Sequence, residues 1–176
     1  MDLSRPVAPD PYAQLPAVPS FALTSEDVAD GQTMAAPFTA AGGDISPQLS
    51  WAGFPASTRS FVLTCFDPDA PRPGGFWHWA VLNLPATTTS LPRSAGAPDS
   101  SALPDGALQT INDGGAIGYA GAAPPPGDRV HRYFFAVHAL DVDRLDVQPS
   151  AAPAAVALAA LPHTIARAVI VPVFQR

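Results

Sequence analysis

Short hydrophobic runs, interrupted by prolines and glycines, recur along most of the chain. In the run at 61–66 the residues on both sides of an extended chain are apolar, which predicts a strand in the middle of a sheet. Longer runs at 78–84 and 131–140 predict two further strands. Shorter strands are predicted at 21–24, 49–51 and 108–111. Residues 165–174 could be a strand or further helix, and their valines and isoleucines favour a strand. The pattern therefore indicates a mainly β fold.

One segment departs from this pattern and predicts a helix. Residues 153–160 are rich in alanine, and Pro153 suits the first position of a helix. Residues 1–20 are rich in proline, which predicts an extended N-terminal arm. We expect residues 21–176 to form a single domain, because a chain of 176 residues with 47% hydrophobic residues can bury one core.

Composition narrows the classes of function. The formal net charge is −6, the chain contains no lysine, and its arginines are scattered, so a nucleic-acid or polybasic membrane surface is not expected. No apolar run is long enough to cross a bilayer, and the N-terminus lacks the pattern of a secretory signal, so we expect a cytoplasmic protein. The single cysteine, Cys65, lies in a buried strand and predicts a core residue rather than a nucleophile.

Two stiff proline segments each stand beside a histidine at the start of a hydrophobic strand. Asp67 and Asp69 alternate with prolines ahead of His78, and the prolines and glycine of 124–127 precede His131. Protonated imidazoles and loop N–H groups suit a phosphate, and the carboxylates suit a neighbouring positive group. The combination predicts a pocket for a small zwitterionic phosphate ester.

Structural roles remain open for the same residues. The two carboxylates could cap turns and pair with an arginine, His78 could be a satisfied core histidine, and His131 could be a turn residue. His138 and His163 are expected to be structural. Two histidines with carboxylates could also hold zinc or iron, although the spacing typical of metal ligands is missing, and we predict neither a metal nor a cofactor.

Known catalytic patterns are also missing. The chain has no Gly-x-Ser-x-Gly segment and no phosphate-binding P-loop, and nothing in the sequence pairs Ser46, Ser50 or Ser60 with a base. We therefore predict that the protein is not an enzyme.

Four segments of the chain are similar to one known family. It resembles the phosphatidylethanolamine-binding protein family, also called the Raf kinase inhibitor protein family, and within it the bacterial YbhB/YbcL type. The resemblance covers roughly residues 20–174 and rests on Ser-Pro-Gln-Leu-Ser-Trp at 46–51, Asp-Pro-Asp-Ala-Pro at 67–71, Trp-His-Trp-Ala-Val-Leu-Asn-Leu-Pro at 77–85, and 118–133 with its His-Arg-Tyr ending.

The resemblance implies a β-sandwich of mostly antiparallel strands, with one or two short helices and an anion pocket at one end. It also implies a cis peptide at Ala70–Pro71 and a homodimer. The implied ligand contacts are Asp67, His78, Pro126, Gly127, His131 and Tyr133. The implied supporting residues are Asp69, Ala70, Pro71, Trp77 and Arg132.

Two departures from the animal members qualify this comparison. The chain ends without their C-terminal helix and its tyrosine, and the insertion before the first pocket histidine is only residues 72–75. We therefore expect a more open pocket, and kinase inhibition is not carried over. The leading hypothesis is a non-catalytic binding protein for a phosphate or other anionic ligand, such as a phosphoethanolamine-type head group. The alternative is an interaction module that inhibits a kinase or protease and is regulated by the pocket.

Overall fold

The computed structural model describes residues 3–99 and 101–176, so Met1 and Asp2 of the predicted arm lie outside the described residues. These ranges contain ten strands and one α-helix. The elements are β1 (Ala22–Thr24), β2 (Leu49–Ala52), β3 (Ser60–Asp67), β4 (Phe76–Pro85), β5 (Ser90–Leu91), β6 (Leu108–Gln109), β7 (His131–Arg132), β8 (Phe134–Leu140), α1 (Pro153–Ala160), β9 (Thr164–Ile170) and β10 (Val173–Phe174).

The largest sheet has five antiparallel strands in the order β6-β4-β3-β8-β9. All residues of β3 are buried, because the strand has a neighbour on each side and both of its faces are covered. The prediction of a central strand at 61–66 is confirmed. Since β3 and β4 are antiparallel, the end of β3 and the start of β4 lie at the same edge of the sheet.

A smaller antiparallel sheet, β1-β2-β5, packs over one face of the five-stranded sheet and completes the sandwich. Trp51 of β2 meets Phe61 of β3 edge to face, with ring centroids 5.6 Å apart. Burial of such aromatic residues is the main source of stability for a fold of this kind. The predicted mainly β sandwich is confirmed.

The opposite face of the large sheet is covered by α1 and by the N-terminal arm. Val156 and Ala160 of α1 pack on Val62 and Leu82, and Pro153 begins the helix as predicted. Beyond the helix, Tyr12 of the arm lies against the rings of Phe134 and His138, and Pro19 accepts a hydrogen bond from the backbone of Arg167. No helix in the described part of the chain is long and apolar enough to cross a membrane.

Two local predictions were wrong. The strand expected at 131–140 is divided at Tyr133, whose backbone N–H donates to the carbonyl of Pro172: β7 pairs with β10, while β8 pairs with β3 and β9. The alternation of side chains is compatible with one continuous strand, but the two parts of the segment form hydrogen bonds with different neighbouring strands. The Ala70–Pro71 peptide bond, expected to be cis, is trans, the form that X–Pro bonds favour by about 0.5–1 kcal/mol in the absence of other constraints.

Candidate ligand pocket

A cavity of about 320 Å³ opens at the edge of the sandwich where β3 ends and β4 begins. The segment 120–125 forms its opposite wall. Because β3 and β4 are antiparallel neighbours, this edge brings together the two halves of the predicted site. The cavity is lined by Ala40, Asp44, Asp67, Ala70, Pro71, Arg72, Phe76, His78, Ala120, Gly121, Ala123, Pro124, Pro125 and His131.

His131 is held between two carboxylates. Its Nδ1 lies 2.7 Å from Oδ2 of Asp67, and its Nε2 lies 2.9 Å from Oδ2 of Asp128. The imidazole is only 1% exposed. Burial opposes protonation, but the hydrogen bonds to Asp67 and Asp128 outweigh it and raise the pKa of His131 above its usual value. Both ring nitrogens are therefore occupied by donating to protein groups.

His78 has the opposite electrostatic character. Its Nδ1 lies 2.7 Å from the carbonyl oxygen of Ala120, to which it donates. Burial lowers the pKa of His78 below its usual value, although the hydrogen bond to Ala120 favours protonation. In the neutral ring Nε2 is left as a hydrogen-bond acceptor. The pocket thus combines one charged and one neutral imidazole.

The loop that follows β3 is held by an ion pair. Asp69 accepts hydrogen bonds from Nε and Nη2 of Arg132 at 2.7 and 2.8 Å, and the structure thus brings together the expected supporting pair. Burial would raise the pKa of Asp69, but the hydrogen bonds from Arg132 lower it. Ala70 and Pro71 line the cavity. Trp77 lies on the other side of β4, in contact with the ring of Phe66 at 4.4 Å between centroids.

The remaining expected contacts lie near the cavity without lining it. Tyr133 meets His78 edge to face, with ring centroids 5.1 Å apart, and its buried hydroxyl has no hydrogen-bond partner among the described residues. Burial raises the pKa of this hydroxyl far above its usual value. Pro124 and Pro125 form the proline wall, whereas Pro126 and Gly127 are the central residues of a turn closed by a hydrogen bond from the N–H of Asp128 to the carbonyl of Pro125.

Several residues of the site were missed by sequence reasoning. Asp128 stands three positions before His131, a spacing that could have indicated it, but nothing local shows that the loop folds back. Asp44 follows two glycines and carries no local signal of a site, and its positive φ of 56° and its hydrogen bond from the N–H of Gly121 become visible only in three dimensions. Arg72 was noted only as part of a short insertion. Within residues 3–99 and 101–176, no group of three or more His, Cys, Asp or Glu side chains is arranged to hold a metal ion.

Comparison with known proteins identifies the family of the chain. The sequence profile of the phosphatidylethanolamine-binding protein family matches residues 24–175, which include every element from the end of β1 to β10. The chain belongs to this family. The match contains both halves of the pocket in the order in which the fold brings them together, whereas the N-terminal arm, residues 1–20, lies outside it.

Bacterial relatives are similar over most of their length. The chain is 52% identical to the UPF0098 protein YbhB of Escherichia coli over 134 residues, which are 76% of this chain and 84% of YbhB. It is 42% identical to the UPF0098 protein YbcL of the same organism over 161 residues, which are 89% and 88% of the two chains. Both proteins are known under family names that state no activity.

Solved structures show the same fold. The crystal structure of Escherichia coli YbcL, described as a new member of the mammalian family, superimposes with a TM-score of 0.87 at 41% identity and covers 89% of this chain and 99% of that one. A family homologue from Chlamydia trachomatis superimposes with a TM-score of 0.76 at 31% identity, covering 89% and 98%. The sandwich is therefore the family fold.

Proposed function

We propose that this protein binds a small phosphate-bearing ligand that also carries an amine, such as a phosphoethanolamine-type head group, and does so without chemical turnover. The observation that carries the proposal is one cavity whose wall holds both carboxylates, Asp44 and Asp67, and basic groups, Arg72 and His131. Its volume of about 320 Å³ suits a small molecule. The family name refers to a lipid with this head group, which supports the same ligand class.

The acceptors in the pocket favour a ligand that can donate hydrogen bonds. Asp67 already accepts from the N–H of Asp69 at 2.8 Å and from His131, and each carboxylate oxygen retains a further lone pair. Neutral His78 adds its Nε2 acceptor. An ammonium group or a protonated phosphate oxygen can donate to these atoms. A fully deprotonated anion without a donor would meet repulsion from Asp67.

The phosphate itself needs positive partners, and two stand on the wall. Arg72 is half exposed and only loosely paired, since its Nη1 lies 3.6 Å from Oδ2 of Asp113. Its guanidinium lies 5.3 Å from the centre of the Phe76 ring at the pocket wall, where it can turn towards a phosphate. The charge of His131 is shared with two carboxylates and supports the same end of the ligand more weakly.

The proposal excludes turnover because the candidate nucleophiles are already engaged or buried. Ser46 accepts a hydrogen bond from the N–H of Gly96, Ser60 donates to the carbonyl of Val142, and Ser50 accepts from Gln48. Burial raises the pKa of the Cys65 thiol well above its usual value, which disfavours the reactive thiolate.

Calorimetric titration of phosphoethanolamine tests the proposal. We compare the wild type with His78→Gln and with the double variant His78→Ala/His131→Ala, and use His163→Ala as a control because His163 is an exposed histidine paired with Asp141. We expect at least a tenfold weaker binding in the double variant, a smaller loss in His78→Gln and none in His163→Ala. Equal affinities for phosphoethanolamine in all four proteins would contradict the proposal. Release of inorganic phosphate, followed by phosphorus NMR, would contradict the absence of turnover.

We also propose that the protein is cytoplasmic and that it forms a homodimer. Cys65 is the single cysteine and cannot form an internal disulfide, so the cysteine content does not point to an oxidising compartment. Cell fractionation tests the location, and recovery from the periplasm would contradict it. Sedimentation of the purified protein tests the dimer, and a monomer at micromolar concentration would contradict it.

A further inference from the structure

The guanidinium of Arg5, in the N-terminal arm, lies behind His131 at the pocket. Arg5 donates to both carboxylate oxygens of Asp128, through Nη1 at 2.9 Å and Nη2 at 2.8 Å, and Nη2 also donates to the carbonyl of Asp69. The same Nη2 lies 3.5 Å from Nε2 of His131. Asp128 thus lies between Arg5 and His131, and its side chain is only 1% exposed.

The arm is fastened at this position by further hydrogen bonds. Arg129 donates to the carbonyl oxygen of Arg5, and Nη2 of Arg132 donates to the carbonyl oxygen of Ala8 at 2.6 Å. From the other end of the chain, Gln175 donates to the carbonyl of Asp128 at 2.8 Å. Both ends of the chain therefore converge on the loop that carries Asp128, and Arg5 is held in place from several directions.

The charges around His131 balance only when Arg5 is counted. Asp67, protonated His131 and Asp128 together carry one net negative charge, and Arg5 cancels it. Asp69 and Arg132 cancel each other. The hydrogen bonds from Arg5, and then those from His131, hold the pKa of Asp128 well below its usual range against the effect of burial. The titratable and charged groups that face or adjoin His131 are Arg5, Asp67, Asp69, His78, Asp128, Arg132 and Tyr133.

We propose that Arg5 is a positioning residue of the ligand pocket: by holding Asp128 behind His131 and neutralising it, the arm supplies the positive charge that allows the pocket to accept an anion. This inference rests on the proposed function and adds to it a residue outside the part of the chain that matches the family. Without Arg5 the buried triad Asp67–His131–Asp128 would repel a phosphate. With Arg5 the triad is electrically neutral, and Arg72 can attract the phosphate without net repulsion from the triad.

The experiment compares two probes of opposite charge, inorganic phosphate and ethanolamine, in the full-length protein. Arg5→Ala removes the charge, and Arg5→Lys keeps the charge but loses the two-pronged contact. Arg59→Ala is the matched control, because it removes one positive charge from an exposed pair with Asp143. Arg59 directly precedes β3, so it lies about 26 Å from Asp67 at a rise of about 3.3 Å per residue.

We expect Arg5→Ala to weaken phosphate binding roughly tenfold, the size expected for one unit charge about 12 Å from the phosphate at an effective dielectric constant of about 20. Ethanolamine should bind Arg5→Ala as tightly as the wild type or more tightly. Arg5→Lys should lose less phosphate affinity than Arg5→Ala, and Arg59→Ala should match the wild type with both probes. A loss of both probes in Arg5→Ala would indicate a merely structural role and overturn the inference, as would unchanged phosphate binding.

A second variant tests the role of Asp128 directly. Adding Asp128→Asn to Arg5→Ala removes the carboxylate that Arg5 neutralises, so phosphate affinity should return towards that of the wild type. Failure of this rescue would overturn the inference.

The titration of His131, followed by NMR, separates this inference from the proposed function. If the wild type bound neither probe, the proposed function would fail. The inference would still require the pKa of His131 to rise in Arg5→Ala, where two carboxylates face one cation fewer, and to fall back in Arg5→Ala/Asp128→Asn. An identical titration in all three proteins would overturn it.

Discussion

Arg132 and Asp69 form a two-pronged ion pair that joins the loop after β3 to the start of β7. Nε and Nη2 of Arg132 each donate to one carboxylate oxygen, and the backbone N–H of Arg132 donates to Oδ2 at 3.1 Å. Asp67 and His131 stand close to this pair in the sequence and are joined to each other by a hydrogen bond of 2.7 Å between Nδ1 and Oδ2. The pair therefore sets the distance between the two halves of the site.

Loss of this pair should destabilise the protein. We expect Arg132→Ala to lower the free energy of unfolding by about 2–3 kcal/mol, because the buried carboxylate of Asp69 loses its charged partner and keeps only the backbone N–H of residue 132. Arg132→Lys should lower the free energy of unfolding by about 1 kcal/mol, since the positive charge remains but the pair of parallel hydrogen bonds from the guanidinium is lost. Urea unfolding measures both. The exposed pair of Arg59 with Asp143 provides the comparison, with a loss below about 1 kcal/mol in Arg59→Ala, and equal losses at the two sites would contradict the assignment.

Anion affinity should depend on pH in two steps. The pKa of His131 is raised, so its positive charge persists above the usual histidine range and anion binding weakens as pH rises through that value. The pKa of His78 is lowered, so a second gain in affinity should appear only below pH ~6.5. Sulfate serves as the probe because its own charge stays constant over this range. Since it has no donor for Asp67, it should bind more weakly than phosphoethanolamine at every pH, but both steps should remain. A profile without the upper step in the wild type would contradict the charge assigned to His131.

Acid should destabilise the fold through His138. Burial, and then the charge of Arg167, lowers the pKa of His138 to about 3. Between this value and the unfolded value of about 6.5 the unfolded chain binds the extra proton, so stability is lost as pH falls. This group should cost about 2 kcal/mol between pH 6.5 and pH 5.

The variant His138→Gln isolates that contribution. Glutamine keeps an acceptor for Nε of Arg167, which donates to Nδ1 of His138 at 3.3 Å, but it does not titrate. Urea unfolding at pH 7 and pH 5 should show a smaller pH dependence in the variant than in the wild type. Parallel pH profiles would show that His138 is not buried in its neutral form.

Gly121 should be the least tolerant position of the pocket wall. A Cβ atom there would lie 2.3 Å from the backbone carbon of Thr39 and 2.5 Å from the nitrogen of Ala40, so the backbone would have to move. We expect Gly121→Ala to cost about 2–3 kcal/mol and to weaken ligand binding. Gly53→Ala is the control, with a positive φ but open space around it, and should cost about 1 kcal/mol without an effect on binding.

Cys65 should be unreactive in the folded protein. The side chain is fully buried in β3, and burial raises the pKa of its thiol. An aromatic disulfide reagent should therefore label Cys65 only as fast as the protein unfolds, and added urea should speed the reaction. Rapid labelling at neutral pH in buffer would contradict the packing of β3.

The sequence by itself determined those features that depend on local pattern. Apolar residues on both sides of β3 require a strand covered on both faces, and the alanine-rich segment after Pro153 can bury one side of a short helix. The order of the two proline–histidine segments also indicated a pocket with Asp67, His78 and His131 near one another. These features follow because strand and helix periodicity decide which side chains face the core.

Only the tertiary structure decided how the charges of the pocket are arranged. Asp128 accepts a hydrogen bond from Nε2 of His131. Arg5, which lies 123 residues earlier in the chain, neutralises the charge of Asp128. Neither contact leaves a periodic signal, because an ion pair between distant loops depends on where the whole chain folds back. The division of the long strand at Tyr133 has the same cause. Its first part, β7, pairs with β10 and its second part, β8, pairs with β3, and both partners are remote in sequence.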